Sequence, residues 1–440
     1  MGTGRRFPNL PRIHWFSPLA PALTDIAHYT GRLLPALAAR ADVTLWTDQP
    51  RWSSGLERFA AVRRFDPREF RWQALSGADA VFYNIGNNAR FHSGIAMVGR
   101  RFPGFTIMHD VLLHDAVAHA CRQHDDRAGY LEIMQSLYGA RGRRDADLCW
   151  NGVLKPLELG RLYSCAPYFL ESSLGAIVHS RAAERILAKD VDLPIVRLPL
   201  PFPARRFTAP DAASVPAGPP WKLVVFGFLG VNRCLEQILT ALARLPDHPF
   251  HLHIYGKIED REGTEAAIER LELGRRVTLH GFVPEVELDA ALASAHLALN
   301  LRYPTKGEAS GSQLRIWSHG LPGVVTRTGW YAEQPAGTLF YVRPPFLVED
   351  LCAHLRAFAA RPAAYRAAGL HGYEYFVEQH SPAAYAARIV HLAGQAAAYR
   401  QRWNALRMST RAVETMRNWY SAGKLNGYVD RVAEVVGELT

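Results

Sequence analysis

The sequence predicts an α/β protein of two doubly wound domains that face each other across a cleft, followed by C-terminal helices. Three observations carry this. Apolar runs of strand length alternate with amphipathic runs of helix length over residues 13–198, and the alternation restarts at residue 223, the pattern of parallel sheets covered on both faces. Between the two series lies PFPARRFTAPDAASVPAGPP, Pro201 to Pro220; its Pro, Ala and small polar residues read as a linker. The chain has 440 residues, more than one hydrophobic core ordinarily organises. The expected division is 1–200 for the first domain, 201–220 for the linker, 221–382 for the second domain and 383–440 for the C-terminal helices.

In order, Ile13–Phe16 is the first strand, followed by a Pro-rich loop and a helix over Thr24–Ala39. Val43–Thr47, Asp79–Ile85, Phe105–Met108, Ala176–His179 and Pro194–Leu198 are the next strands, with a helical insertion at about 111–170 and a helix over Ser180–Ala188. After the linker come strands at Leu223–Phe226, His251–Tyr255, Val277–His280, Ala295–Leu301 and from Val324. Helices are expected over Leu235–Leu245, within Ile258–Leu273, over Glu285–Ala295, from near Ser312 to Gly320 and over Val348–Phe358. From Ala383 the chain reads as long helix, with breaks at Gly423 and Gly427.

Composition narrows the function classes. Apolar content of 48% and charged content of 21% describe an ordinary globular protein. The net charge of +10 suits phosphorylated ligands and allows peripheral contact with an anionic membrane. No nucleic-acid-binding motif is present, so no nucleic acid partner is expected. Five widely spaced cysteines form no metal knuckle or redox pair and fit a reducing cytosol. The N-terminal stretch lacks the apolar run of a signal peptide, and no run is long enough to span a bilayer, so a cytoplasmic location is expected. The Asp145-Ala146-Asp147 and Asp190-Val191-Asp192 triplets are read as structural, and no metal site is expected.

Ligands of doubly wound sheets bind beyond the carboxyl ends of the strands, and the chemistry-bearing residues fall there. The stretch LRYPTKGEASGSQLRIWSHGLPGVVT, Leu301–Thr326, runs from a strand through a small-residue loop into a helix. Helix-start amides without internal partners suit an anion. Ser310 or Ser312 can cap the helix or bond a phosphate, and Gly307 and Gly311 let the backbone approach a ligand. Glu308 has no obvious structural partner in sequence, and Lys306 is a second cation beside it. Arg233, in FGFLGVNR after a strand, can reach a diphosphate bidentately. From the first domain, His109 and Asp110 end a strand; His109 can bond a sugar hydroxyl or stabilise charge. His92, Asn87 and Asp25 are further cleft candidates.

These residues resemble the GT-B glycosyltransferases, specifically the large retaining family 4 and a bacterial subgroup of it. FGFLGVNRCLEQILTAL is similar to the family's diphosphate segment, with Arg233 on its basic position. RVTLHGFVPEVELDAALASAHLALN resembles the segment that holds the base through the backbone of Phe282 and Val283. Glu308 and Gly311 match the glutamate-glycine loop, and Gly320-Leu321-Pro322 matches its close. GNNARFH and PGFTIMHD resemble the bacterial subgroup, with His109 on the position that contacts the transferred sugar. There are departures. Thr24-Asp25 replaces glycine, and Asp25 would repel phosphate; Phe228 replaces an arginine, for which Lys306 is placed to compensate. The segment from Gly311 to Gly320 is one residue short, which sets Arg315 where the family has its second Glu, the ribose ligand.

The resemblance implies a GT-B fold: two Rossmann-like doubly wound domains facing a central cleft, the C-terminal helices crossing back to the first domain or making an oligomer contact. It implies transfer of a sugar from a nucleotide-sugar to an acceptor hydroxyl with retained anomeric configuration. Arg233, Lys306 and the backbone of Ala309, Ser310, Gly311 and Ser312 would hold the diphosphate. Glu308 and His109 would hold the transferred sugar. No cofactor or metal is expected, the nucleotide-sugar being a co-substrate; the acceptor would be a saccharide or a lipid-linked one, in bacterial polysaccharide, lipopolysaccharide or glycoconjugate synthesis. Glu308→Ala is expected to abolish transfer and leave the fold intact. The other readings are a GT-B epimerase or hydrolase and a catalytically weak nucleotide-sugar-binding scaffold; release of nucleoside diphosphate only with an acceptor separates the first reading from both.

Overall fold

The computed structural model describes residues 10–204, 218–419 and 431. The first sheet holds β1 (Arg12–Phe16), β2 (Asp42–Thr47), β3 (Ala61–Arg64), β4 (Ala80–Ile85), β5 (Gly104–Met108), β6 (Ser173–Val178) and β7 (Ile195–Arg197), in the spatial order β3-β2-β1-β4-β5-β6-β7. The second holds β8 (Trp221–Phe226), β9 (Phe250–Tyr255), β10 (Val277–Gly281), β11 (Leu297–Asn300), β12 (Gly323–Thr326) and β13 (Phe340–Val342), in the order β10-β9-β8-β11-β12-β13. Every pairing is parallel. Strand order reverses between β1 and β4 and between β8 and β11, so each sheet opens a crevice at the carboxyl ends of those strands.

The first sheet is covered by α1 (Asp25–Ala38) on one face. On the other lie α2 (Ala89–Gly99) and the helices inserted between β5 and β6: α3 (His114–Gln123), α4 (Arg127–Trp150), α5 (Pro156–Leu162) and α6 (Ala166–Leu170). Burial on both faces explains why AVFYNI and SLGAIV are buried throughout. Further on, α7 (Arg181–Leu187) starts at the Ser180 cap, whose hydroxyl accepts from the Ala183 N–H. The second sheet carries α8 (Leu235–Ala243), α9 (Arg261–Arg270), α10 (Glu285–Ala293), α11 (Gly311–Trp317) and α12 (Leu347–Ala360). Two helices follow, α13 (Pro362–Gln379) and α14 (Pro382–Trp419).

Helix α14 crosses back onto the first domain. Tyr29 Oη donates to Tyr385 Oη at 3.0 Å, and the Tyr399 ring meets Phe105 edge-on at 5.1 Å. Tyr29, Leu33, Leu34 and Leu37 of α1 therefore share one buried cluster with Tyr385, Ile389, Leu392 and Ala396.

The structure departs from the sequence reading at several places. Strands β3 and β13 and helix α13 were not expected. Both strands are sheet edges; β3 is Ala-Val-Arg-Arg and largely exposed, so no apolar alternation marks it. Helix α11 ends at Trp317, short of Gly320. The expected breaks at Gly423 and Gly427, and most of the linker, lie outside the described residues.

Candidate functional site

Glu308 is not unpartnered. In the loop between β11 and α11, its Oε1 accepts from Arg302 Nη1 at 2.5 Å, and its Oε2 from the Thr305 hydroxyl at 2.8 Å and the Lys306 N–H at 2.5 Å. Burial works to raise its pKa, but the Arg302 guanidinium beside it wins and the value is lowered. The carboxylate is therefore ionised and fixed. Arg302 was missed in sequence: it lies six positions before Glu308, in a loop where no helical or strand periodicity pairs them.

Arg233 sits in a 3-10 turn, Val231–Arg233, rather than at the start of α8, and is 4% exposed. Its Nη2 donates to the Phe226 carbonyl at 3.1 Å and to Asn300 Oδ1 at 3.0 Å, while Nε and Nη1 are buried without a partner among the described residues. Burial, and then the nearby positive Arg302, push its pKa down to about 10. The group stays charged at neutral pH, but among the described residues no carboxylate forms an ion pair with it, which a buried cation ordinarily has. Asn300 also reaches Gln313 Oε1 at 3.1 Å, which ties β11 to α11. Ser310 caps α11: its hydroxyl takes the Gln313 N–H at 3.1 Å and the Tyr331 hydroxyl at 2.9 Å. Being 1% exposed, its side chain is not a phosphate ligand but the cap. The Ala309, Gly311 and Ser312 amides have no protein acceptor among the described residues.

The first-domain wall comes from the ends of β4 and β5. His109 Nε2 lies 3.0 Å from Asn84 Oδ1, and Asn84 spends its amide N–H on the Phe16 carbonyl at 2.9 Å. Asn84 Oδ1 can thus only accept, so Nε2 carries the proton and Nδ1 is an acceptor. Burial, then the neighbouring His179 and His92, hold the His109 pKa well below its ordinary value. The imidazole is neutral, so it can take a hydroxyl proton in a hydrogen bond but supplies no positive charge. Asp110 accepts from the Asn87 N–H at 2.7 Å; burial and the charge of Glu308 across the seam push its pKa up to about 6.

Three candidates are engaged by protein partners. His92 is 1% exposed and bonded through Nδ1 to the Asn84 carbonyl at 3.0 Å, a support behind His109. The Asn87 side chain joins Asp115 Oδ2 at 3.1 Å and the Ala116 N–H at 2.9 Å. Lys306 has a protein partner: its Nζ pairs with Asp115 Oδ2 of the first domain at 2.8 Å. The Lys306 carbonyl accepts from the Val111 and Leu112 N–H groups at 3.2 and 3.1 Å. This close passage requires Gly307, at φ +84°, where a Cβ would stand 2.3 Å from Val111 Cγ2. Asp25 is exposed in the first turn of α1, after the Thr24 cap.

Beside this floor, Phe282 is 69% exposed and Val283 packs on the core under α10. Arg315 faces α10: Nε bonds Asp289 Oδ1 at 2.9 Å and Nη1 bonds Glu285 Oε1 at 3.2 Å. A shallow crevice of ≈ 10 Å³, open to solvent, lies at the seam between Asp115, Arg161, Thr305 and Lys306 and has room for about one water. The Asp-x-Asp triplets are structural, Asp145 being bound by the Tyr163 hydroxyl at 2.8 Å and Asp190 by Ser164. Among the described residues no three potential ligands cluster around a metal position, and no helix is long and apolar enough to cross a membrane.

Comparison with known proteins meets this geometry. Residues 212–335 match the family model described as glycosyl transferases group 1. Over nearly the whole chain the structure is similar to sucrose-phosphate synthase from Thermosynechococcus elongatus, with a TM-score of 0.61 at 18% identity, covering 90% of this chain and 100% of that one. The fold is GT-B. Two further GT-B structures are similar. HepE from Anabaena in complex with UDP has a TM-score of 0.60 at 14% identity and covers 87% of this chain and 99% of its own. WaaG, a glycosyltransferase involved in lipopolysaccharide biosynthesis, has a TM-score of 0.55 at 16% identity and covers 87% and 99%. No curated protein sequence matches the chain. In GT-B terms, the crevice between β8 and β11 and the wall from β4 and β5 face each other across the interdomain cleft.

Proposed function

We propose that this protein is a retaining glycosyltransferase of the family 4 type, moving a sugar from a nucleoside-diphosphate donor to an acceptor hydroxyl. The observation that carries the reading is Arg233, a buried guanidinium with two nitrogens that have no partner among the described residues, beside loop amides equally unbonded there. A diphosphate would supply the missing counterion, and the same groups would stabilise the charge that grows on it as the glycosidic bond breaks. The match of residues 212–335 to a glycosyl transferase family, and the HepE complexes with UDP and UDP-glucose, support a nucleotide-sugar donor.

In this account Glu308, ionised and held by Arg302, accepts hydrogen bonds from hydroxyls of the transferred sugar through the remaining capacity of Oε1. His109, neutral and protonated on Nε2, accepts another through Nδ1. The acceptor hydroxyl attacks from the face the diphosphate leaves, and the departing phosphate oxygen takes its proton, so no protein nucleophile is required. No step is routed through a metal. The setting that fits the net charge of +10 is glycoconjugate, polysaccharide or lipopolysaccharide assembly at the cytoplasmic face of an anionic membrane.

The test is a thermal-shift screen against nucleotide-sugars and nucleoside diphosphates, followed by NMR of the product anomer. A donor present at a hundred times its Kd should add about 2.7 kcal/mol of stability. A protein stabilised by no nucleotide in the panel, or a product of inverted configuration, would overturn the reading.

A further inference from the structure

Helix α14 changes character along its length. Its first half seals the first domain through Tyr385, Ile389, Leu392, Ala396 and Tyr399. From Asn404 that packing ends, and Leu406, Arg407, Met408 and Arg411 are exposed, Met408 by 73%. An exposed helical stretch is ordinarily steadied by acid–base pairs three or four residues apart. None can form here. Between Glu378 and Glu414 the chain has no Asp or Glu but carries Arg388, Arg400, Arg402, Arg407 and Arg411. Arg407 and Arg411, one turn apart, repel each other instead.

The arginines also meet others of the first domain. Arg407 Nη1 donates to Ser172 Oγ at 3.4 Å, and that hydroxyl donates to the Arg100 carbonyl at 2.7 Å, so Arg407 reaches the turn that carries Arg100 and Arg101. Arg100 is spent on Glu171, at 2.8 Å, and on the Tyr168 ring. Arg101, Arg402, Arg407 and Arg411 enter none of the ion pairs among the described residues, and Arg400 Nε is buried without a partner there. The cluster lies at the amino ends of β5 and β6, which begin at Gly104 and Ser173. The crevice is at the opposite, carboxyl ends, about 17 Å away along β5.

Two features select the ligand. Guanidinium groups without carboxylates call for anions that fit their fork, as phosphate does. Met408 stands three residues before Arg411 and so beside it on the helix surface. An exposed apolar side chain among arginines suits the boundary between headgroups and acyl chains; a soluble anion offers it nothing to enter. We propose that the outer part of α14, with the Arg100–Arg101 turn, docks on an anionic phospholipid surface. Docked in this way, the protein turns its cleft away from the bilayer. The inference is independent of the donor reading and gives the membrane setting a definite face of the molecule.

The experiment is co-sedimentation of the full chain with vesicles of phosphatidylcholine alone and of phosphatidylcholine with equimolar phosphatidylglycerol. Wild type is expected to bind only the anionic vesicles, and less as salt rises. Arg407→Gln with Arg411→Gln should weaken binding about thirtyfold, the share of two basic side chains at such a surface, with Tm near wild type. Arg141→Gln with Arg143→Gln, two exposed arginines of α4, removes the same net charge and should change binding less than about threefold. Met408→Ser should weaken vesicle binding and leave retention on heparin unchanged. Equal losses from the two arginine pairs would show an effect of net charge alone and overturn the proposal. So would equal binding to both vesicles, or vesicle binding that Met408→Ser leaves intact and heparin abolishes, the mark of a soluble polyanion site. A dimer that dissociates on Arg407→Gln with Arg411→Gln would assign the face to a second copy and overturn it as well. Nucleoside diphosphate binding by the same samples reports on the donor reading separately, and failure of either leaves the other standing.

Discussion

Glu308→Ala is the obvious variant for a proposed sugar ligand, and the structure says what else it would do. Removing the carboxylate strands Arg302, a 16% exposed side chain whose Nε already lacks a partner among the described residues. Breaking a buried ion pair by deleting one partner costs about 3–5 kcal/mol. For a domain of this size each kcal/mol corresponds to about 2–4 °C in Tm, so Glu308→Ala should lower Tm by about 6–20 °C. The expectation of an intact fold, which followed from reading Glu308 as unpartnered, is therefore withdrawn. Replacing both members, as Arg302→Met with Glu308→Leu, removes the stranded charge and should recover most of that loss. Scanning fluorimetry of wild type, both single variants and the double variant completes a cycle. Nucleoside diphosphate release with acceptor is followed in parallel. A stable double variant without turnover isolates the chemical role of the carboxylate. Glu308→Ala with a Tm within about 2 °C of wild type would refute the structural argument, and turnover restored in the double variant would refute the chemical one.

Arg233→Gln should weaken nucleoside diphosphate binding by about 10–100-fold, since a hydrogen bond to a charged group contributes about 1.5–3 kcal/mol; a change below about threefold by calorimetry contradicts its assignment. Asp110 has its pKa raised from 3.8 to about 6, so the folded protein keeps a proton that the unfolded chain loses between these values. Stability from this group therefore falls as pH rises from about 4 to 6 and is level above. Asp110→Asn should gain Tm relative to wild type across that window, and a Tm difference that does not vary with pH counts against the shift. Gly307→Ala should destabilise by about 1–3 kcal/mol and open the seam, read as a lower Tm and a larger radius of gyration by scattering. Unchanged values for both would mean that the loop relaxes around Val111.

Much of the fold was legible because parallel strands buried on both faces leave continuous apolar runs, as in Ala80–Ile85, and because glycines and prolines punctuate their ends. Edge strands β3 and β13 were not, since β3 has largely exposed side chains and β13 is only three residues long. In the site, the loop from Leu301 and Arg233 could be read from strand-loop-helix order. Their partners could not. Arg302 with Glu308, Lys306 with Asp115 and Arg315 with Glu285 are fixed by where elements meet in space, and a lysine or arginine in sequence looks the same whether it is spare or paired. His109 shows the same limit: its tautomer follows from Asn84, a residue that reads only as part of a strand.

The return of α14 to the first sheet has a consequence for how the chain is made. Trp15, Leu33 and Leu37 have no complete cover until Ile389, Leu392 and Ala396 exist. A ribosome finishes the first domain's residues long before it reaches these. Until then an apolar face of the first domain stands open, while the second domain is synthesised and can close around its own sheet. Order of synthesis and order of completion are thus reversed: the domain that is made first is sealed last. A first half expressed without α14 should accordingly be recovered with chaperone or in aggregates, and supplying a 382–419 peptide in trans should increase its soluble yield.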